Sequence, residues 1–180
     1  MTSLLRQQRL EENGATALWF GPDGPIPNSA RLPVLLYETA IADPGPDAAE
    51  AFERLFRRNG WSPQWRNGIY DYHHYHSTAH EALGVAAGRA HVLLGGAHGQ
   101  EVDVRAGDCV VLPAGTGHCL LDASPDLLVV GAYPPGQDWD LRRDALSAAE
   151  RAEMAALAIP ESDPIVGGRG ALLALWSQPT

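Results

Sequence analysis

Hydrophobic residues in this chain come in short runs separated by glycine, proline and small polar clusters. That rhythm predicts strands rather than long helices. Ala15 to Phe20 is the first such run, and Gly21-Pro22-Asp23-Gly24-Pro25 with Pro27-Asn28 closes it in a long bend. Leu32 to Ala40 reads as a strand with Pro33 near its start, where a missing donor is tolerated on a sheet edge. Ile69 to His76, Arg89 to Leu94, Gln100 to Val104, Asp108 to Leu112 and Leu127 to Ala132 follow as short strands. Gly95-Gly96, Ala106-Gly107 and Ser124-Pro125-Asp126 punctuate them. Strands of this length with turn signals at near-regular spacing indicate a sandwich or barrel.

A helical period appears in few places. Asp47-Ala48-Ala49-Glu50 has the capping-box pattern, and Phe52, Leu55 and Phe56 then share a face before Asn59-Gly60 stops the turn. Ser147-Ala148-Ala149-Glu150 opens a second helix to about Leu157. Residues 1–14 predict a weakly capped helix presenting Leu4, Leu5 and Leu10, and Trp61 to Gly68 reads as aromatic and irregular. After Pro160, Pro164 and Gly167-Gly168, the apolar tail Ala171 to Trp176 is expected to dock on the body. No internal repeat or interdomain linker interrupts the sequence, so the 180 residues predict one domain. Its expected parts are an N-terminal section over 1–68, a barrel core over 69–133 and a helical tail over 134–180.

Charge narrows the partners. With 22 acidic against 13 basic residues the formal net charge is -9, which argues against nucleic-acid backbones and anionic membrane surfaces and for a small molecule. Cys109 and Cys119 sit inside and just after a strand, where they read as small buried hydrophobes. Together with a first segment that lacks an apolar signal region, this predicts a cytoplasmic protein. The Leu32 to Ala40 edge and the apolar tail are surfaces that a lone barrel would have to cover, and they predict a homodimer.

The candidate chemistry lies between His74 and His118. In a strand, His74 and His76 point to the same side, close enough to chelate one cation. Glu81 has the wrong parity to join them unless Ser77-Thr78-Ala79 turns and resets the phase, whereas His80 keeps the phase of His76 without a turn. A distant donor, His118, follows the bend Pro113-Ala114-Gly115. A continuous strand would also place Tyr70 and Tyr72 beside His74 and His76, with Leu83 and Val85 lining the wall deeper than Glu81. His91 and His98 read as ordinary strand and turn residues.

These spacings resemble the cupin superfamily. Its first motif is met by His74, His76, Glu81 and Gly88, and its second by Gly107, Pro113, Gly115 and His118. The resemblance selects Glu81 over His80, because the family's glycine stands seven positions after the glutamate, as Gly88 does after Glu81. Asp122 stands where the family often has asparagine. The wider run from Asn59 to Pro134 is similar to small bacterial single-domain cupins. The resemblance implies an all-β fold with minor helices, the cupin-type double-stranded β-helix or jelly-roll barrel. It also implies one divalent transition metal (iron, manganese, nickel, copper or zinc) on His74, His76, Glu81 and His118, since imidazole and carboxylate admit each of these.

In the cupin arrangement two coordination positions stay open for a small-molecule substrate. By resemblance the leading activity is then oxidoreductase chemistry of the dioxygenase type. The alternatives are a metal-dependent isomerase or lyase, with Tyr72 as the catalytic base, and a non-catalytic metabolite-binding cupin. The expected pocket wall is Tyr70, Tyr72 and Leu83.

Overall fold

The computed structural model describes residues 9–12 and 14–177. Its strands are β1 (Arg9–Glu12), β2 (Ala15–Leu18), β3 (Val34–Tyr37), β4 (Ser62–Asn67), β5 (Glu81–Ala87), β6 (Arg89–Leu94), β7 (Gln100–Arg105), β8 (Cys109–Leu112), β9 (His118–Ala123) and β10 (Leu128–Tyr133). Three helices, α1 (Ala48–Arg58), α2 (Ala148–Ala155) and α3 (Ala171–Trp176), complete the described elements. Neighbouring strands run antiparallel in two sheets, ordered β1-β2-β3-β8-β5-β10-β4 and β7-β6-β9. This is the expected all-β jelly roll.

The larger sheet is buried on both faces, which is why β5 reads as an unbroken apolar run rather than an alternating one. Alternation decides which side chain goes where: Leu83 and Val85 turn inward to meet Val92, Val102 and Val104 of the smaller sheet, while Ala82 and Ala86 turn outward. Phe52 and Phe56 of α1 and Trp176 of α3 cover that outer face. The chain comes so close there that a Cβ on Gly84 would lie 2.5 Å from the Phe52 ring. Asp163 is sealed beneath the same cover, accepting hydrogen bonds from the Ile165 N–H at 2.8 Å, the Leu172 N–H at 3.1 Å and the Tyr37 hydroxyl.

Several expectations need correcting. Arg9–Glu12 is a strand, not part of a helix, because Gly14 takes a φ of +82° and lets the chain fold back along the buried β2. Leu4 and Leu5 lie outside the described residues. The strand expected over Leu32 to Ala40 shortens to Val34–Tyr37 and is no edge, since β3 pairs with β2 on one side and β8 on the other. The apolar tail does dock on the body, with the Trp176 indole donating to the Pro33 carbonyl at 2.9 Å. Neither surface that suggested a homodimer is therefore open.

Trp61 to Gly68 is largely the regular strand β4, which tolerates Pro63 because it is the sheet edge and needs hydrogen bonds on one side alone. Residues 69–76 form no continuous strand, only isolated bridges at His74 and Tyr75. The α1 capping box does not form: Asp47 makes no side-chain cap, and Glu50 instead pairs with Arg66 at 3.0 Å. That of α2 does form, Ser147 and Glu150 satisfying one another at 2.7 and 3.2 Å.

Candidate metal centre

His74 and His118 meet because their main chains do. The His118 N–H donates to the His74 carbonyl at 3.0 Å, and the His74 N–H returns to the His118 carbonyl at 3.3 Å. His76 follows on the same side, its carbonyl accepting the Gly115 N–H at 2.7 Å. Gly115 makes that approach with a φ of +89°, and a Cβ there would stand 2.8 Å from the Met154 sulfur.

Between His76 and Glu81 the chain bends at Ser77 and Thr78. Asp140 holds the bend, accepting the Ser77 N–H at 2.6 Å on Oδ1 and the Ser77 hydroxyl at 2.5 Å on Oδ2. The bend resets the phase, so Glu81 enters β5 facing inward with Leu83 and Val85. His80 consequently faces the other way: its Nδ1 accepts the Ala114 N–H at 2.9 Å and its ring packs 4.9 Å from Trp176.

The ligand atoms of His74, His76 and His118 lie within 4.8 Å of one another, and all three residues are buried. Each ring is tied through Nδ1 to a main-chain carbonyl, His74 to Tyr72 at 3.1 Å, His118 to Thr116 at 3.0 Å and His76 to Asp140. An Nδ1–H that donates to a carbonyl leaves the Nε2 lone pair free, which is the tautomer a metal requires. Glu81 Oε1 accepts the Tyr133 hydroxyl at 2.5 Å. Oε2 stands 3.3 Å from His76 Nε2 and 3.5 Å from His118 Nε2, but out of line for a hydrogen bond with either.

Electrostatics favour a cation. Burial is the largest influence on His74 and His118 and lowers both, holding them neutral. Burial works the same way on His76, but the Glu81 carboxylate beside it outweighs burial and raises it. Burial alone would raise Glu81 too, yet His76, His118 and the Tyr133 hydroxyl together hold it below the usual carboxylate range. A divalent ion at the Nε2 atoms would replace the proton on His76 and give Oε2 the partner it lacks. The residues present thus fit such an ion.

A cavity of about 170 Å³ opens onto the cluster, lined by Trp65, Ile69, Tyr70, Leu83, Tyr133 and Trp139 among others. Tyr70 and Leu83 both line it, Tyr70 without the continuous strand that was expected to carry it. The Tyr72 ring does not line this cavity; it stacks 5.0 Å from Tyr70, with the Arg143 guanidinium 4.5 Å above it, and its carbonyl is what holds His74. Sequence reasoning missed Tyr133, Trp65 and Trp139. Trp65 reaches across Gly131, where a Cβ would fall 2.0 Å from the indole, and donates to the Tyr133 hydroxyl at 2.8 Å. Trp139 stacks on Tyr133 with ring centroids 5.9 Å apart. The alternation of polar Ser62, Gln64 and Arg66 with Pro63 and Trp65 was the available signal for Trp65; Trp139, in a loop, left none.

Residues 66–130 match the profile of the cupin domain. Uncharacterized protein YjlB of Bacillus subtilis (strain 168) is 38% identical over 167 residues, which span 92% of this chain and 98% of that protein. Among solved structures, a DUF861 family protein from Thermotoga maritima is 18% identical, covering 54% of this chain and 96% of its own at a TM-score of 0.32. A point mutant of Bacillus subtilis oxalate decarboxylase is 16% identical, covering 77% of this chain and 30% of its own at a TM-score of 0.34.

Proposed function

Because the chain belongs to the cupin superfamily, we propose that it is a metal-dependent oxidoreductase of the dioxygenase type, acting on a small molecule. Its metal would be one divalent transition ion on His74, His76, Glu81 and His118. The observation that carries this reading is the Glu81 oxygen left without a hydrogen bond in a buried site where three imidazoles are tied through Nδ1 to main-chain carbonyls. A bound ion of this kind supplies Lewis-acid polarisation and, when redox-active, electrons for dioxygen.

The chain's own residues do the rest. The Tyr133 hydroxyl occupies Oε1 of Glu81, so that Oε2 is the oxygen left for the ion. Burial and then the Glu81 charge push Tyr133 far above the usual phenol range, which keeps it a protonated hydrogen-bond donor to Glu81, neither a base nor a ready acid. Trp65 and Trp139 flank Tyr133, whose side chain is buried.

Anaerobic purification with metal analysis, followed by oxygen uptake against diols, keto acids and thiols, tests the reading. Stoichiometric metal is expected in the wild type and in His80→Ala, and its loss in His118→Ala. If His80→Ala empties the site while Glu81→Ala does not, the ligand set is wrong. If no compound in the panel raises oxygen uptake by the loaded protein, the dioxygenase reading falls.

A further inference from the structure

The cavity beside the cluster has a composition that selects its ligand. Trp65, Tyr70, Tyr133 and Trp139 supply aromatic surface, Ile69 and Leu83 add aliphatic wall, and among the described residues no lysine or arginine lines it. Arg143 lies over the Tyr72 ring and faces a different groove, with Asp23, His73 and Asp144. Arg66 is held on the outer surface by Glu50 and Glu53, at 3.0 and 2.7 Å. The cavity's fixed charge is thus the Glu81 carboxylate.

Resting on the metal site proposed above, charge bookkeeping follows directly. A divalent ion with three neutral imidazoles and one carboxylate carries a single net positive charge, enough to balance one negative charge on a ligand. A dianion would leave its second charge in a largely aromatic pocket where no described residue outside the histidines offers a cation and only neutral donors such as the Asn67 amide could meet it, and a buried unpaired charge is strongly unfavourable. Size adds a second limit. The volume of about 170 Å³ is close to that of apolar cavities of about 150 Å³ that take up benzene. Shape adds a third, since four of the wall residues, Trp65, Tyr70, Tyr133 and Trp139, carry flat aromatic rings.

We infer that the pocket's ligand is a flat molecule of about benzene size, neutral or singly ionised, with one or two oxygens toward the histidines. Compact dianions are excluded. Catechol and malonate serve as probes of the two classes, titrated calorimetrically into zinc-loaded wild-type protein, zinc being redox-inert. Catechol is expected to bind at least about tenfold more tightly than malonate. Equal or tighter malonate binding, or no catechol binding, overturns the inference. Ile69→Trp, which fills the wall, should weaken catechol by at least about tenfold at unchanged zinc content; an unchanged affinity would place catechol elsewhere and overturn it too.

If the wild type takes up no zinc, the metal reading falls by itself. The ligand class is then decided by the same criterion on the metal-free protein, read through quenching of tryptophan fluorescence, because two of the wall residues are Trp65 and Trp139.

Discussion

Glu81 and Asp163 are both buried carboxylates, 2% and 0% exposed, and each accepts a tyrosine hydroxyl. They serve opposite faces of the larger sheet. Asp163 is complete: Oδ1 takes the N–H groups of Ile165 and Val166 at 2.8 and 3.2 Å, and Oδ2 takes Leu172 N–H beside the Tyr37 hydroxyl. Glu81 is half complete, with Oε1 satisfied by Tyr133 and Oε2 facing two imidazoles without a hydrogen bond. A carboxylate closed by main-chain donors is a structural clasp, whereas one left open among histidines has the form of a ligand. Burial alone does not separate the two roles. What separates them is the census of partners on the second oxygen.

The largest test of this contrast is Asp163→Ala, which strands three N–H groups and a phenol in the outer core. Urea unfolding should show a loss of about 3–5 kcal/mol, while the folded variant keeps the zinc content of the wild type. A loss under about 1 kcal/mol would show that the clasp is no clasp. Glu81→Gln should act on the metal instead. It keeps the acceptor for Tyr133 and removes the charge, so metal affinity, read by competition with a chelator, should fall by about 100-fold or more.

Metal itself sharpens the comparison. Free zinc at a hundred times its Kd should stabilise the wild type by about 2.7 kcal/mol, and Asp163→Ala by the same increment. A chelator should remove that gain. Stabilisation of Glu81→Gln by as much at the same zinc concentration would show that the carboxylate is not a ligand. The smallest effect expected is that of Tyr133→Phe, which frees Oε1 to turn. Metal affinity should fall by roughly tenfold, as for other residues that orient a ligand. An affinity unmoved by the change would mean that the hydroxyl does not set the carboxylate's position.

The sequence carried the donors of this site more clearly than their supports. His74 and His76 were paired by their spacing, while Glu81 was preferred to His80 only through the resemblance to the cupin motif, since the bend at Ser77 and Thr78 could not be read in advance; the strand expected to carry the histidines is only a pair of bridges. The capping box of Ser147 and Glu150 forms and that of Asp47 and Glu50 does not, because Arg66 offers Glu50 a competing partner from another strand. Strand β9 escaped notice since its pattern does not alternate: His118 and Cys119 are buried, and Leu121 and Asp122 are exposed. Strand β4 was hidden by Pro63, an obstacle in a central strand and none at an edge. Asp140 was invisible because half of its role belongs to its carbonyl, a group every residue has.

That last feature bears on how such a protein can change over generations. The three imidazoles take their orientation from the main-chain oxygens of Tyr72, Thr116 and Asp140. Substitution of the Tyr72 and Thr116 side chains leaves the oxygens in place as long as the local path of the chain persists, whereas Asp140 also holds the bend at Ser77 through its carboxylate. The aromatic wall has no such insurance, because Trp65, Tyr133 and Trp139 act through their side chains. The donor end is therefore buffered against drift and the wall is exposed to it. A lineage built on this chain is free to exchange one guest for another by altering a ring, with the means of holding an ion inherited unchanged.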